Sequence, residues 1–200
     1  MDTSRNSQEN EMRCRYHDSN RDTSNEEWII RTGERMNCVN NQNNLLFRYK
    51  KDRRSVNRAK KAISEYALHN NWTWAFSGTF RTSNERMNRV KMLGNVTKWI
   101  RDERKSKGQD FQYLLVPELH ADQRNWHIHG LISDIPQNDL MLKYGNQYAW
   151  SRYEKRFGEC CLKEIADISG WVDYITKEFA DCSVEKDAHL YYCSRNLCRE

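Results

Sequence analysis

The sequence predicts an α+β fold in which flanking helices pack on a central antiparallel sheet. Three features carry this expectation. Residues 72–80, WTWAFSGTF, are rich in aromatics and β-formers and alternate as a core strand does. Residues 111–118 and 125–133 are two further strand-like runs, separated by a polar turn through Ala121, Asp122 and Gln123 that is short enough for a hairpin. Around these runs, apolar residues recur at spacings of three and four, the period of a helix with one buried face.

Taken from the amino terminus, residues 1–26 are mostly Asn, Ser, Asp, Glu and Arg with almost nothing apolar to bury, so a disordered tail is expected ahead of a domain over 27–200. Short apolar groups broken by Asn-rich turns over 28–47 suggest one or two short strands. The densest basic cluster follows: Arg48, Lys50, Lys51, Arg53, Arg54, Arg58, Lys60 and Lys61, opposed only by Asp52. Val56, Ala59, Ile63 and Ala67 keep helical spacing through and beyond it, which makes this segment a basic helical extension of the domain. Clustered Lys and Arg on such a helix read either as a solvated face or as a rail for DNA phosphates.

Ser83 can cap a helix over 83–105 with Met87, Val90, Leu93, Val96 and Ile100 along its apolar stripe. A helix is expected over 153–165, with Gly170 separating it from a short helix over 171–180. Residues 189–194 form one more strand.

Composition narrows the function classes. A chain of 200 residues suffices for one domain with a proper core. The balance is mildly basic, +5, with both signs abundant, which permits nucleic-acid binding without demanding it. The seven cysteines include no C-x-x-C pair and are odd in number, unlike a secreted disulfide scaffold. No apolar stretch approaches the ~20 residues needed to span a bilayer, and no signal-peptide segment opens the chain. The expectation is a reduced, soluble, intracellular protein with no membrane partner.

The chemistry concentrates in residues 113–132, YLLVPELHADQRNWHIHGLI. Side chains alternate along a strand, so His127 and His129 share one face and Ile128 takes the other. In the hairpin, Glu118 ends the first strand as His127 begins the second, which brings a carboxylate beside two imidazoles. Such a set leaves coordination positions open, as a catalytic metal centre requires. His120 and Asp122 are nearby alternatives to Glu118 as third ligand. An isolated H-x-H on a strand is commonly a hydrogen-bonded pair, so independent support is needed. It comes from WVDYITKEF, where Tyr174 and Lys177 stand three apart on one helix face and Trp171, Ile175 and Phe179 form the buried stripe. A phenol can attack phosphorus while an ammonium and a metal neutralise charge on the phosphate oxygens.

A strand ending in SGTF, then PELH before WHIHG, then Y-x-x-K, and finally HLYYCSRNL, resembles the HUH endonucleases, and most closely the rolling-circle replication initiators of phages and plasmids. The resemblance covers residues 72–197. It implies a central antiparallel sheet of about five strands related to the RNA-recognition fold. It also implies His127, His129 and Glu118 as ligands of Mg2+ or Mn2+, Tyr174 as nucleophile and Lys177 as its helper. Thr79 and Phe80 match the end of the family's first motif, with Thr79 a candidate DNA contact beside Arg53, Arg54, Arg58 and Lys60. Gly78 departs from the pattern, since a bulkier residue is usual there. The implied substrate is single-stranded DNA at a replication origin in the cytoplasm of a bacterial host, with host helicase and polymerase as partners because no Walker-type loop is present. A transposase or relaxase of the same superfamily, or a non-catalytic binder of single-stranded nucleic acid, are the alternatives.

Overall fold

A computed structural model describes residues 27–29, 35–41, 44–50, 52–108, 111–122, 124–180, 183–184 and 188–199. The tail expected over 1–26 and Lys51 of the basic cluster lie outside the described residues. The chain opens with strands β1 (Glu27–Ile29), β2 (Arg35–Asn41) and β3 (Asn44–Lys50), followed by helix α1 (Arg53–His69). Next come β4 (Trp74–Gly78), α2 (Ser83–Arg86), α3 (Arg89–Lys107), β5 (Tyr113–Leu119) and β6 (Trp126–Ile132). The remainder is β7 (Leu140–Tyr144), β8 (Gln147–Trp150), α4 (Ser151–Arg156), β9 (Cys160–Glu164), α5 (Ile168–Thr176), a 3-10 turn (Lys177–Ala180), β10 (Ser183–Val184) and β11 (Tyr192–Cys193).

Seven strands form the main sheet, all antiparallel, in the order β11-β5-β6-β4-β9-β8-β7. The α+β class is as expected, with two strands more than the five implied by resemblance. A second sheet, β1-β2-β3-β10, joins the start of the chain to the segment after the 3-10 turn. Helices cover both faces of the main sheet. On one face α3 inserts Met92, Leu93, Val96 and Ile100, all buried, and its Trp99 packs on Trp150, Tyr153 and Phe157. Burial of each such aliphatic side chain contributes about 1.5–3 kcal/mol. On the other face α1 lies against α5, and Trp171 of α5 donates its indole N–H to the Gly130 carbonyl of β6 at 2.9 Å.

Several local expectations are corrected by tertiary pairing. The helix expected over 153–165 ends at Arg156, and residues 160–164 are strand β9. Two backbone bonds, Thr79 N–H to Glu159 O and Arg81 N–H to Phe157 O, draw this segment alongside the end of β4. Gly158 permits the approach, because a Cβ there would stand 2.9 Å from the Thr79 carbonyl. The single helix expected over 83–105 is two. Thr82 caps the first by accepting from Glu85 N–H, and Asn88 caps the second by accepting from Lys91 N–H. The break rotates the stripe, leaving Val90 60% exposed while Met92 is fully buried. Gly170 lies inside α5 rather than ahead of it, because Asp167 caps the helix by accepting from the Gly170 N–H at 3.0 Å. The β7–β8 hairpin carries exposed Met141, Leu142 and Tyr144, so it has no alternating pattern to betray it.

Gly78 is accounted for by its neighbours. A Cβ at that position would meet the Tyr153 hydroxyl at 2.5 Å and the Phe76 ring at 2.7 Å. The phenol of Tyr153, buried and donating to the Thr79 carbonyl at 3.1 Å, fills the space a bulkier residue would take. Gly130 is constrained more severely, since a Cβ would stand 2.3 Å from the Leu114 carbonyl of the paired strand. Gly130→Ala is therefore expected to destabilise the fold by about 2 kcal/mol or more, read as a lower urea midpoint with unchanged slope; an unchanged midpoint would show that β5 and β6 can separate freely.

Candidate active site

The pairing of β5 with β6 sets Glu118 directly opposite His127 and Val116 opposite His129. Glu118, His127 and His129 consequently project from one face at one end of the hairpin. Their ligand atoms all lie within 4.8 Å of one another, and among the described residues they are the one group of three His, Cys, Asp or Glu side chains that can hold a metal ion. Glu118 Oε2 is 2.8 Å from His129 Nε2 and 3.5 Å from His127 Nε2, and the two Nε2 atoms are 2.9 Å apart. Of the sequence alternatives, His120 packs edge-on against the His127 ring at 5.3 Å, while Asp122 accepts from the backbone N–H groups of Arg124 and Asn125 in its own turn. Neither joins the cluster.

This donor set fits a divalent cation. With both imidazoles neutral and their lone pairs turned inward, three acceptor atoms face one another in a largely buried space, and Glu118 Oε2 has no hydrogen-bond partner. Only a proton or a cation between them removes that repulsion. Burial would raise the Glu118 carboxyl, but the two imidazoles outweigh it and hold the carboxyl well below the usual carboxylate range. The group is thus ionised and ready to act as a ligand.

Helix α5 delivers the other two residues. Tyr174 is 43% exposed, so its hydroxyl side is open to a substrate, and its ring centroid lies 5.4 Å from that of His129. Trp171 stacks on Tyr174 at 5.2 Å while its indole N–H is tied to β6, so one side chain holds the phenol and the strand together. Lys177 follows in the 3-10 turn. Its Nζ is 3.3 Å from Glu118 Oε1 and 4.0 Å from the Tyr174 ring centroid, linking the carboxylate to the phenol. Slight desolvation would lower the ammonium, but the Glu118 carboxylate prevails and raises it, keeping it charged. A groove of about 490 Å3 opens beside Tyr174, floored by the small residues Ala75, Ser77 and Cys161 and edged by Lys163.

The remaining expected residues stand apart from this cluster. Arg53, Arg54 and Arg58 are exposed on the first turns of α1 and Lys60 is half-buried, while Asp52 caps the helix by accepting from Ser55 N–H at 2.9 Å. Chain pairing brings this end of α1 toward the site: Ser183, shortly after the 3-10 turn that carries Lys177, pairs with Lys50, shortly before Arg53. Thr79 is exposed at the end of β4, and its hydroxyl donates to the Glu159 carbonyl at 3.0 Å. Sequence reasoning missed Ser77, whose Oγ lies 2.8 Å from His129 Nδ1. Strand parity puts Ser77 and Thr79 on one face, but only the pairing of β4 with β6 makes Ser77 the neighbour of His129.

A family model for replication-associated proteins of the ORF2 type matches residues 73–179, a span that contains Ser77, Glu118, both histidines, Tyr174 and Lys177. No curated protein and no solved structure matches the chain. The match takes in more than half of the 200 residues, and the chain belongs to this family of replication-associated proteins.

Proposed function

We propose that the protein is a metal-dependent, site-specific single-stranded DNA endonuclease and strand transferase that initiates rolling-circle replication through a 5′-phosphotyrosine intermediate. The observation that carries this reading is the meeting of Tyr174, Lys177 and the Glu118–His127–His129 cluster, in which the Lys177 ammonium touches both the carboxylate and the phenol ring. Family membership supplies the replication context.

The reaction is a transesterification. The Tyr174 Oη attacks a backbone phosphorus and loses its proton as the new P–O bond forms. The bond to the 3′ oxygen breaks, and that oxygen leaves as a 3′ hydroxyl after gaining a proton. Phosphodiester count is conserved, so a later 3′ hydroxyl can attack the phosphotyrosine and rejoin the strand. Mg2+ or Mn2+, held by Glu118, His127 and His129, would supply positive charge to the phosphate oxygens. Lys177 stands on the phenol side, where its charge favours the phenolate that develops during attack and orients the phosphate. Trp171 restricts the Tyr174 ring to the site face.

Single-stranded DNA would lie across the open end of the sheet, with nucleotides beside the scissile phosphate in the groove along Ala75, Ser77 and Lys163. Arg53, Arg54, Arg58 and Lys60 at the start of α1 would hold phosphates further along, and Thr79 offers its exposed surface at the end of β4. In this reading residues 27–200 are one endonuclease domain with α1 as its basic extension. The 3′ hydroxyl is extended by a host polymerase behind a host helicase in the bacterial cytoplasm. Among the described residues no helix is long and apolar enough to cross a membrane.

Tyr174→Phe should bind origin single-stranded DNA with unchanged affinity and form no covalent adduct on denaturing gels; an adduct in undiminished yield would remove Tyr174 as nucleophile. Manganese should raise the melting temperature of the wild-type protein, and His127→Ala with His129→Ala should abolish both that rise and the nicking activity. Nicking that persists in chelator would contradict the metal assignment. Charge reversal at Arg53, Arg54 and Arg58 should weaken DNA binding by about tenfold or more at low salt, with a shallower salt dependence, in filter-binding titrations; unchanged affinity would return α1 to a merely solvated face.

A further inference from the structure

We infer that Ser77 is a positioning residue for His129, acting on the remote nitrogen of the imidazole so that Nε2 can serve the metal cluster. The inference rests on the metal reading above and deepens it. Ser77 and His129 are register partners on β4 and β6, which fixes them side by side on the site face. The Oγ–Nδ1 separation is 2.8 Å, and the His129 side chain is buried, so no solvent competes for that nitrogen.

A hydroxyl is suited to this place because it works in both directions. Without metal, an Nε2–H of His129 can donate to Glu118 Oε2, 2.8 Å away, while Ser77 donates to the bare Nδ1. With a cation in the cluster, Nε2 must present a lone pair. The ring proton then belongs on Nδ1, and Ser77 accepts it after a rotation of its hydroxyl alone. The ring does not move between the two states. Alanine can serve neither, and a carboxylate or backbone carbonyl could serve only the second.

The partner ligand provides the contrast. His127 Nδ1 is buried without a hydrogen-bond partner, and the His127 ring is steadied instead by edge-on contact with His120. One ligand of the pair is held through a hydrogen bond and the other by packing. Outer partners of metal-bound histidines typically change metal affinity by about ten- to a hundredfold when removed. Nothing in the floor of the adjoining groove replaces Ser77, since its other lining residues on β4 and β9 nearest to it are Ala75 and Cys161, and the Cys161 thiol donates to the Gln147 amide oxygen.

The test is a manganese titration of the full chain followed by electron paramagnetic resonance, comparing wild type, Ser77→Ala and Ser77→Thr. Ser77→Ala should bind manganese about tenfold more weakly or worse, with its metal-free melting temperature close to that of wild type. Ser77→Thr, which keeps the hydroxyl on a strand that tolerates β-branching, should recover affinity to within about threefold. Nicking by Ser77→Ala should return toward the wild-type rate when manganese is raised to saturate the weakened site. Equal manganese affinity for wild type and Ser77→Ala would overturn the role of Ser77 alone. Absence of manganese binding by the wild type would overturn the metal reading itself, and a loss in Ser77→Ala that threonine does not restore would assign the effect to packing rather than to the hydroxyl.

Discussion

The site depends on the convergence of three acceptor atoms, Glu118 Oε2 and the Nε2 atoms of His127 and His129, spaced 2.8 to 3.5 Å apart. Acceptors at such distances repel unless a cation or proton lies among them, so the fold has to hold them there against their mutual preference. Strand pairing does so. The direct opposition of Glu118 and His127 across β5 and β6 fixes one edge of the triangle, and the two-residue period of β6 fixes another. The cost is offset by the buried sheet behind them, where Leu114, Leu115, Val116, Ile128 and Leu131 are all inaccessible to solvent. Gly130 completes the arrangement, since any side chain there would push β6 away from the Leu114 carbonyl.

Around this triangle the polar contacts serve orientation. Lys177 bridges Glu118 to the Tyr174 ring, Trp171 bonds to β6 and stacks on Tyr174, and Ser77 holds the far side of His129. Helix α5 therefore cannot slide along the sheet without breaking an indole bond and a charge pair together. The groove beside Tyr174 follows from the same placement of α5. Its floor consists of Ala75, Ser77 and Cys161, small residues on the half of the sheet that α5 leaves uncovered.

Much of the site was legible in the sequence because it is local. Parity alone put His127 and His129 on one face, and a short turn was enough to bring Glu118 to His127. Helical spacing paired Tyr174 with Lys177. What escaped was set by contacts between distant segments. Strand β9 reads as the continuation of a helix until the Thr79 and Arg81 N–H groups donate to the Glu159 and Phe157 carbonyls. The β7–β8 hairpin is exposed along most of β7 and so has no buried face to pattern its residues. Gly78 looked like a departure from the family pattern, yet the missing bulk is supplied by Tyr153, a residue far along the chain. Ser77 gained its meaning only from a strand order that places β4 between β6 and β9.

The most direct test is mass spectrometry of the wild-type protein after incubation with a single-stranded origin oligonucleotide and manganese, with a parallel sample in chelator. The account requires a proteolytic peptide containing Tyr174 that has gained a 5′-linked nucleotide fragment, and its absence from the chelated sample. An adduct on another residue, or cleavage that proceeds in chelator without any adduct, would contradict it.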